Sequence, residues 1–376
     1  SRETHDRAIL DAAYGGYCDL RKGENTIAEA FVTCDAAMST NEGGHAFLTC
    51  RSSEDVPYPT QKGPVSLVVE GFPYLEKNRR ETMCAQAALF GVVKYWNAKD
   101  QSMFSAKTTM DINAAAGLSQ QDQNDPDGRG LSLDEIRTFL SNQSVPGKSL
   151  RFWSYTHEGI KRRRVVDDIY GFVESGLPVI LAIKTIAEPH ALTVIGHTFD
   201  RNSWDAMAEL EYFGKTPERY HPNTTWVRNL VVQDDNFGPY CFLPTRSVPE
   251  CIAALVAVLP KGAEIEVLAH EAMDVAVART VYDNAFRLFL KLVLTEEPLA
   301  DANKAWLDQF ANHLDVKGGD GLVLRPVLAK GCDIVEDYGD HEFTPYLKTI
   351  LSDCETDYFW AVELSWPDIY CFGQAI

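Results

Sequence analysis

Along this chain the apolar residues recur every three or four positions in some stretches and every second position in others, and the two periods predict helices and strands respectively. From Met83 to Asn97, the residues Ala88, Leu89, Val92, Val93 and Trp96 fall at helical spacing. Ser132 and Glu135 form an N-cap and capping-box pair, and Ile136, Phe139 and Leu140 are the buried stripe of the helix they open. Val166, Ile169, Tyr170 and Val173 share one face of a helix over Val165–Glu174, which Gly176 ends, and Pro178 to Ile183 follows as an apolar strand. Over His190 to Phe199, Leu192, Val194 and Gly196 alternate with Ala191, Thr193, Ile195 and His197, the period of a strand. Trp226–Gln233 and Ile252–Leu259 read as two more strands. The acidic pair Asp234-Asp235 ends the first of these, before a turn through Asn236, Gly238 and Pro239.

The two ends of the chain are patterned differently from its middle. Residues 1 to about 60 carry the weakest periodicity: Gly43-Gly44-His45 and Asp55 to Pro64 read as loops, and Thr26 to Thr33 fits helix or strand. Val65–Val69 is a short strand. After Gly262 a new unit is expected, with an amphipathic helix from about Glu271 to Leu294, a strand over Leu322–Val327, a helix near Tyr346–Leu351 and a strand over Phe359–Leu364. The expected organisation is an N-terminal segment 1–62, an α+β domain 63–260 and a C-terminal α/β domain 261–376.

Composition narrows the class of function. In 376 residues, 45% are apolar, 24% charged and 11% aromatic, ordinary globular usage. The net charge of −19 repels phosphate backbones and anionic headgroups, so neither nucleic acid nor a membrane surface is an expected partner. The basic run Lys161-Arg162-Arg163-Arg164 reads as a solvated patch opening a helix. Apolar runs such as Cys251–Leu259 fall far short of the ~20 residues that span a bilayer, and no charged-then-apolar leader follows Ser1. The nine cysteines are odd in number, widely spaced and without a Cys-x-x-Cys pair, a pattern that suits a reducing cytoplasm and not a zinc or redox site.

Three positions carry the candidate chemistry: Cys84 opening a helix, His190 opening a strand, and Asp234 or Asp235 ending the next strand. A thiol attacks as thiolate, a form that a helix N-terminus and a neighbouring imidazolium both favour. A histidine on a rigid strand can take its proton, and a carboxylate on the adjacent strand can fix the imidazole's tautomer. His197 lies seven positions from His190 and therefore faces the other side of the strand, which excludes a chelating pair. His45 reads as a loop histidine, and Tyr95, Trp96, Phe152 and Trp153 as packing aromatics.

Cys84-Ala85-Gln86-Ala87-Ala88-Leu89 resembles the nucleophile helix of papain-like cysteine peptidases, closest to the bacterial branch that trims double-glycine leader peptides. Ser175-Gly176-Leu177-Pro178-Val179-Ile180 resembles the turn before that branch's histidine strand, His190-Ala191-Leu192-Thr193-Val194-Ile195-Gly196 the histidine strand itself, and Val231-Val232-Gln233-Asp234 its acid strand. The resemblance spans about residues 65–260. It implies a papain-like fold, a Cys84–His190–Asp triad, a peptide or protein substrate, and no cofactor or metal. It also puts Asn78 where the family has its oxyanion-hole glutamine, with an amide able to donate the same hydrogen bond. Strand-end position favours Asp234 as the acid, whereas matching Asp-Asn-Phe-Gly to the Asn-Ser-Trp-Gly turn of papain favours Asp235. Hydrolysis of a peptide or isopeptide bond is the leading expectation. Acyl transfer to an amine by the same triad, and a non-catalytic binding role, are the alternatives.

Overall fold

The computed structural model describes residues 16–20, 27–32, 45–60, 63–76, 83–99, 103–119, 129–143, 151–153, 165–185, 189–200, 220–259, 322–332 and 358–365. They form helices and largely antiparallel sheets, an α+β arrangement, in two compact units. The first unit comprises Ser1–Val165, Phe172–Asp200 and Arg228–Gly262. The second comprises Val166–Gly171, Arg201–Val227 and Ala263–Ile376. No helix among the described residues is long and apolar enough to cross a membrane.

A seven-stranded antiparallel sheet organises the first unit. Its strands are β3 (His45–Leu48), β6 (Arg151–Trp153), β7 (Val179–Lys184), β8 (Pro189–Phe199), β10 (Asn229–Asp234), β11 (Gly238–Pro244) and β12 (Ile252–Ala257). The order is β11-β10-β8-β7-β12-β6, and β3 also pairs with β8. Eleven residues long, β8 exceeds either partner on one of its edges: β7 pairs with Pro189–Val194 and β3 with Gly196–Phe199. Between them the Ile195 carbonyl accepts the Cys50 N–H at 2.9 Å, so the gap between the two partners is bridged. A Cβ at position 196 would sit 2.1 Å from the Phe47 carbonyl oxygen, so this crossing admits only glycine.

Helix α1 (Cys84–Lys99) buries Ala85 through Val93, Tyr95 and Trp96, which covers every face of its first three turns. The apolar stripe read from the sequence is thus one side of a helix enclosed all round. The Thr193 hydroxyl of β8 donates to the Ala88 carbonyl at 3.3 Å, fixing α1 on the sheet. Where Phe72 and Pro73 cross the helix, a Cβ at Gly91 would lie 3.0 Å from the Phe72 ring and 3.1 Å from the Pro73 carbonyl oxygen.

Helices α2 (Thr109–Ala115) and α3 (Leu133–Asn142) both start with complete capping boxes, Thr108 with Asp111 and Ser132 with Glu135. Helix α4 (Val165–Glu174) ends as its glycine predicts. Gly176 has φ +70°, its N–H bonds the Val173 carbonyl, and the Leu177 N–H bonds that of Phe172, both at 2.9 Å.

Two readings are corrected at the N-terminal end. Asp55 to Pro64 is not a loop: β4 (Ser52–Thr60) and β5 (Gly63–Gly71) form an antiparallel hairpin. Pro57 and Pro59 are two apart, so both turn the position of the missing N–H toward the same open edge of a two-stranded ribbon, where no bond is lost. Val56, Leu67 and Val69 are buried while Ser66, Val68 and Glu70 are exposed, and Val56 and Val69 share a small core with Phe31. His45 likewise begins strand β3 and is not in a loop. The ambiguous 26–33 stretch is a strand, β2 (Ile27–Val32), paired with β1 (Gly16–Leu20). Trp226 belongs to a 3₁₀ turn over Asn223–Trp226, and the strand expected from it begins at Asn229.

The second unit holds β9 (Tyr220–Pro222), β13 (Leu322–Lys330) and β14 (Tyr358–Ser365). Strand β13 pairs antiparallel with β14 and parallel with β9. The expected helices at 271–294 and 346–351, and the basic run 161–164, lie outside the described residues.

Candidate active site

Helix α1 begins at Cys84 itself. Its first internal bond runs from the Ala87 N–H to the Met83 carbonyl at 2.9 Å, so the N–H groups of Cys84, Ala85 and Gln86 have no carbonyl acceptor within the helix. The positive end of the helix dipole therefore lies at the thiol. His190 is the second residue of β8 and Asp234 the last of β10. Because these neighbours run antiparallel, with Gln233 opposite Thr193, the end of one strand meets the start of the other.

There the His190 Nε2 lies 3.2 Å from Asp234 Oδ1 and 3.6 Å from Asp235 Oδ1. The Cys84 thiol is among the groups that favour charge on the same imidazole. With Nε2 turned to the carboxylates, Nδ1 is the ring nitrogen available to the sulfur.

Asp234 is the better-held acid. The same Oδ1 accepts the backbone N–H groups of Asn236 at 2.8 Å and Phe237 at 3.3 Å, and the Tyr74 hydroxyl donates to the Asp234 carbonyl at 3.2 Å. Of the two alternatives left open by the sequence, the directed hydrogen bond belongs to Asp234 and the longer ion-pair contact to Asp235.

Electrostatics follow from these contacts. Burial works against charge on His190, but the hydrogen bond to Asp234, the influence of the Cys84 thiol and the fields of both carboxylates outweigh it, and the imidazole pKa is pushed up to about 10. Burial also opposes ionisation of Asp234. The His190 hydrogen bond and the two backbone donors overcome it and hold the carboxyl below its ordinary value. Elsewhere, burial pushes the thiols of Cys50, Cys241 and Cys251 up, the behaviour of structural cysteines.

Several contributors were not read from the sequence. Asn236 brings its Nδ2 to 3.4 Å from both ring nitrogens of His190, an equidistance that is not a directed bond to either. Tyr240, at φ +56°, accepts the Phe72 N–H on its hydroxyl at 3.1 Å, and Gln233 Nε2 reaches the Phe72 carbonyl at 3.5 Å. With Tyr74 these bonds lace the segment leading to α1 onto the β10–β11 hairpin. A bulky residue in the left-handed region was not to be expected from sequence. A lone glutamine in the apolar run Leu230-Val231-Val232-Gln233 was a visible signal.

A cleft of about 260 Å³, counted with its open mouth, starts at Cys84 and follows α1, walled on the helix side by Ala87, Ala88 and Gly91. His197 is brought not to His190 but to Glu174, with Nε2 2.8 Å from Oε2 in a buried pair. Asn78 lies outside the described residues. One donor atom each from His190, Asp234 and Asp235 falls within 4.8 Å of the others, so these are the groups that could hold a cation; imidazole with two carboxylates is a set that suits zinc or iron(II).

No family model matches the chain, and no curated protein matches it.

Proposed function

We propose that the first unit is a papain-like thiol hydrolase that cleaves a peptide or isopeptide bond through Cys84, His190 and Asp234, and that residues 261–376 form an accompanying α/β domain. The observation that carries the reading is an imidazole bonded to a carboxylate that two backbone donors hold, with the helix-initiating thiol of Cys84 among the groups that favour charge on that imidazole. In the proposed cycle the Cys84 proton already resides on His190, whose raised pKa keeps it protonated, and the thiolate sulfur bonds to the carbonyl carbon. The new oxyanion faces the free N–H groups at the start of α1. His190 then gives its proton to the departing amine as the C–N bond breaks, leaving a thioester. Water, deprotonated by His190, attacks the thioester carbon; the C–S bond breaks, the acid departs and the thiolate–imidazolium pair is restored. Asp234 holds Nε2 throughout, so that Nδ1 stays toward the sulfur, while Asp235 adds negative field. A reducing, cytoplasmic setting goes with this reading, since a nucleophilic thiol persists there.

The test is the alkylation rate of each cysteine by iodoacetamide at about pH 5.5, where ordinary thiols are protonated, followed by mass spectrometry. Cys84 is expected to label fastest, and its advantage to vanish in His190→Ala. Uniformly slow labelling would overturn the reading. Once a substrate is in hand, Cys84→Ala abolishes turnover with the fold intact, and product analysis with an added amine separates hydrolysis from acyl transfer.

A further inference from the structure

Asn236 Nδ2 lies 3.4 Å from His190 Nδ1 and 3.4 Å from His190 Nε2. Within the ring plane, a point equally far from the two nitrogens falls either inside contact distance of Cε1 or across the ring among Cγ and Cδ2. The amide therefore stands over a face of the imidazole. The edges of the ring are already committed: Nε2 is turned to Asp234 Oδ1 at 3.2 Å, which leaves Nδ1 for the sulfur. The backbone of Asn236 is tied into the same arrangement, because its N–H donates to that same Asp234 Oδ1 at 2.8 Å. One carboxylate oxygen thus fixes both the edge of the ring and the residue that covers its face. Exposure divides accordingly: Asn236 is on the surface, whereas the His190 side chain is 11% exposed. Phe237, the next residue, is 83% exposed and so is not the cover.

We propose, resting on the thiol-hydrolase reading, that Asn236 is a positioning residue of that site: its amide closes one face of the His190 ring, holds the ring in the plane of the Asp234 bond and keeps water from that bond. The role is steric. An amide above a ring is worth little as an attraction, and turned end for end it would cover the same area. What it changes is the competition with solvent. A hydrogen bond that water can reach is exchanged for bonds to water at small net cost, whereas one sealed from water persists, and with it the ring orientation that the acid imposes. The stretch from Asp234 to Phe237 then works as a unit. Two backbone donors fix the acid, the acid fixes the ring edge, and the residue that supplies the shorter of those bonds lays its side chain across the ring.

The Nε2–H of His190 reports on the cover directly. In the full chain carrying isotope-labelled histidine, its NMR resonance is assigned by its loss in His190→Gln, and its exchange with water is read by saturation transfer. The resonance is expected to be visible in the wild type, and Asn236→Ala to speed its exchange about tenfold or more, since an uncovered hydrogen bond at the surface opens at little cost. Asn236→Leu keeps the shape of the side chain without its polar atoms and is expected to restore slow exchange; fast exchange there would assign the effect to the amide's polarity and overturn the steric cover. Cys84 alkylation at about pH 5.5 is expected to follow the same order, slowed in Asn236→Ala and recovered in Asn236→Leu; a rate unmoved by either variant overturns the positioning role. A resonance already lost to exchange in the wild type, or an unchanged exchange rate in folded Asn236→Ala, overturns the proposal outright. Should that variant fail to fold, Asn236→Ser shortens the side chain while keeping a turn-forming residue and takes its place. The exchange measurement involves no thiol chemistry, so slow, Asn236-dependent exchange beside ordinary Cys84 labelling counts against the hydrolase reading and not the cover, and rapid exchange beside selective labelling counts against the cover alone.

Discussion

Two adjacent carboxylates compete for one imidazole, and their different anchoring decides how each mutation acts. Asp234 makes the 3.2 Å hydrogen bond and is held by two backbone donors, whereas Asp235 contributes from 3.6 Å. Asp234→Asn is therefore expected to slow Cys84 alkylation at pH 5.5 by about tenfold or more, and Asp235→Asn by less; the reverse order would transfer the orienting role to Asp235. The same pair gives stability a defined dependence on pH. His190 binds its proton more tightly folded, at about pH 10 against an ordinary value near 6.5. Its contribution is complete below about pH 6.5 and is lost as pH rises toward 10. The difference in urea midpoint between the wild type and His190→Gln should shrink across that window. Asp234 acts in the opposite sense: its depressed pKa contributes stability above the unfolded carboxylate value, and this is lost as the solution is acidified through the folded one. Cys84, His190 and the acid pair were legible because each stands at the border of a periodic segment. The tyrosine lacing was not, since the reach of a hydroxyl across 160 residues leaves no trace in local pattern.

At the scale of elements, legibility followed burial. Strands β7, β8, β10 and β12 and helices α1, α3 and α4 bury long apolar stretches, and both periods showed through. The β4–β5 hairpin buries one narrow face and carries prolines, so its turn-forming composition masked it. Close approach was equally hidden. At Gly91 a methyl group would press on the Phe72 ring and the Pro73 carbonyl, so Gly91→Ala is expected to cost about 1–3 kcal/mol by denaturant melt, despite alanine's better helix propensity. Ser132→Ala, which removes a cap at an exposed helix start, should cost about 1 kcal/mol and leave Cys84 labelling unchanged. A neutral or stabilising Gly91→Ala would show that the Phe72 segment yields readily.

At the scale of the whole molecule, the chain does not pass from one unit to the other once. Val166–Gly171 and Arg201–Val227 group with Ala263–Ile376, and β9 owes its parallel partner to β13, about a hundred residues later. Periodicity reports what each segment is and not which distant segment it joins, so this interleaving could not be read along the sequence. A chain ended at Gly262 would leave Tyr220–Pro222 without Leu322–Leu324 and is expected to unfold at a lower temperature than the full chain, by calorimetry; an unchanged first transition would show that the strand pair contributes nothing.

The separation of Cys84, His190 and Asp234 along the chain also sets an order in time. Asp234 is synthesised about 150 residues after Cys84, a delay of roughly 8–30 s at ~5–20 residues per second. On the thiol-hydrolase reading, the nascent polypeptide through that interval carries a thiol with neither His190 locked nor Asp234 in place, and the emerging chain would be protected from that chemistry until the sheet closes.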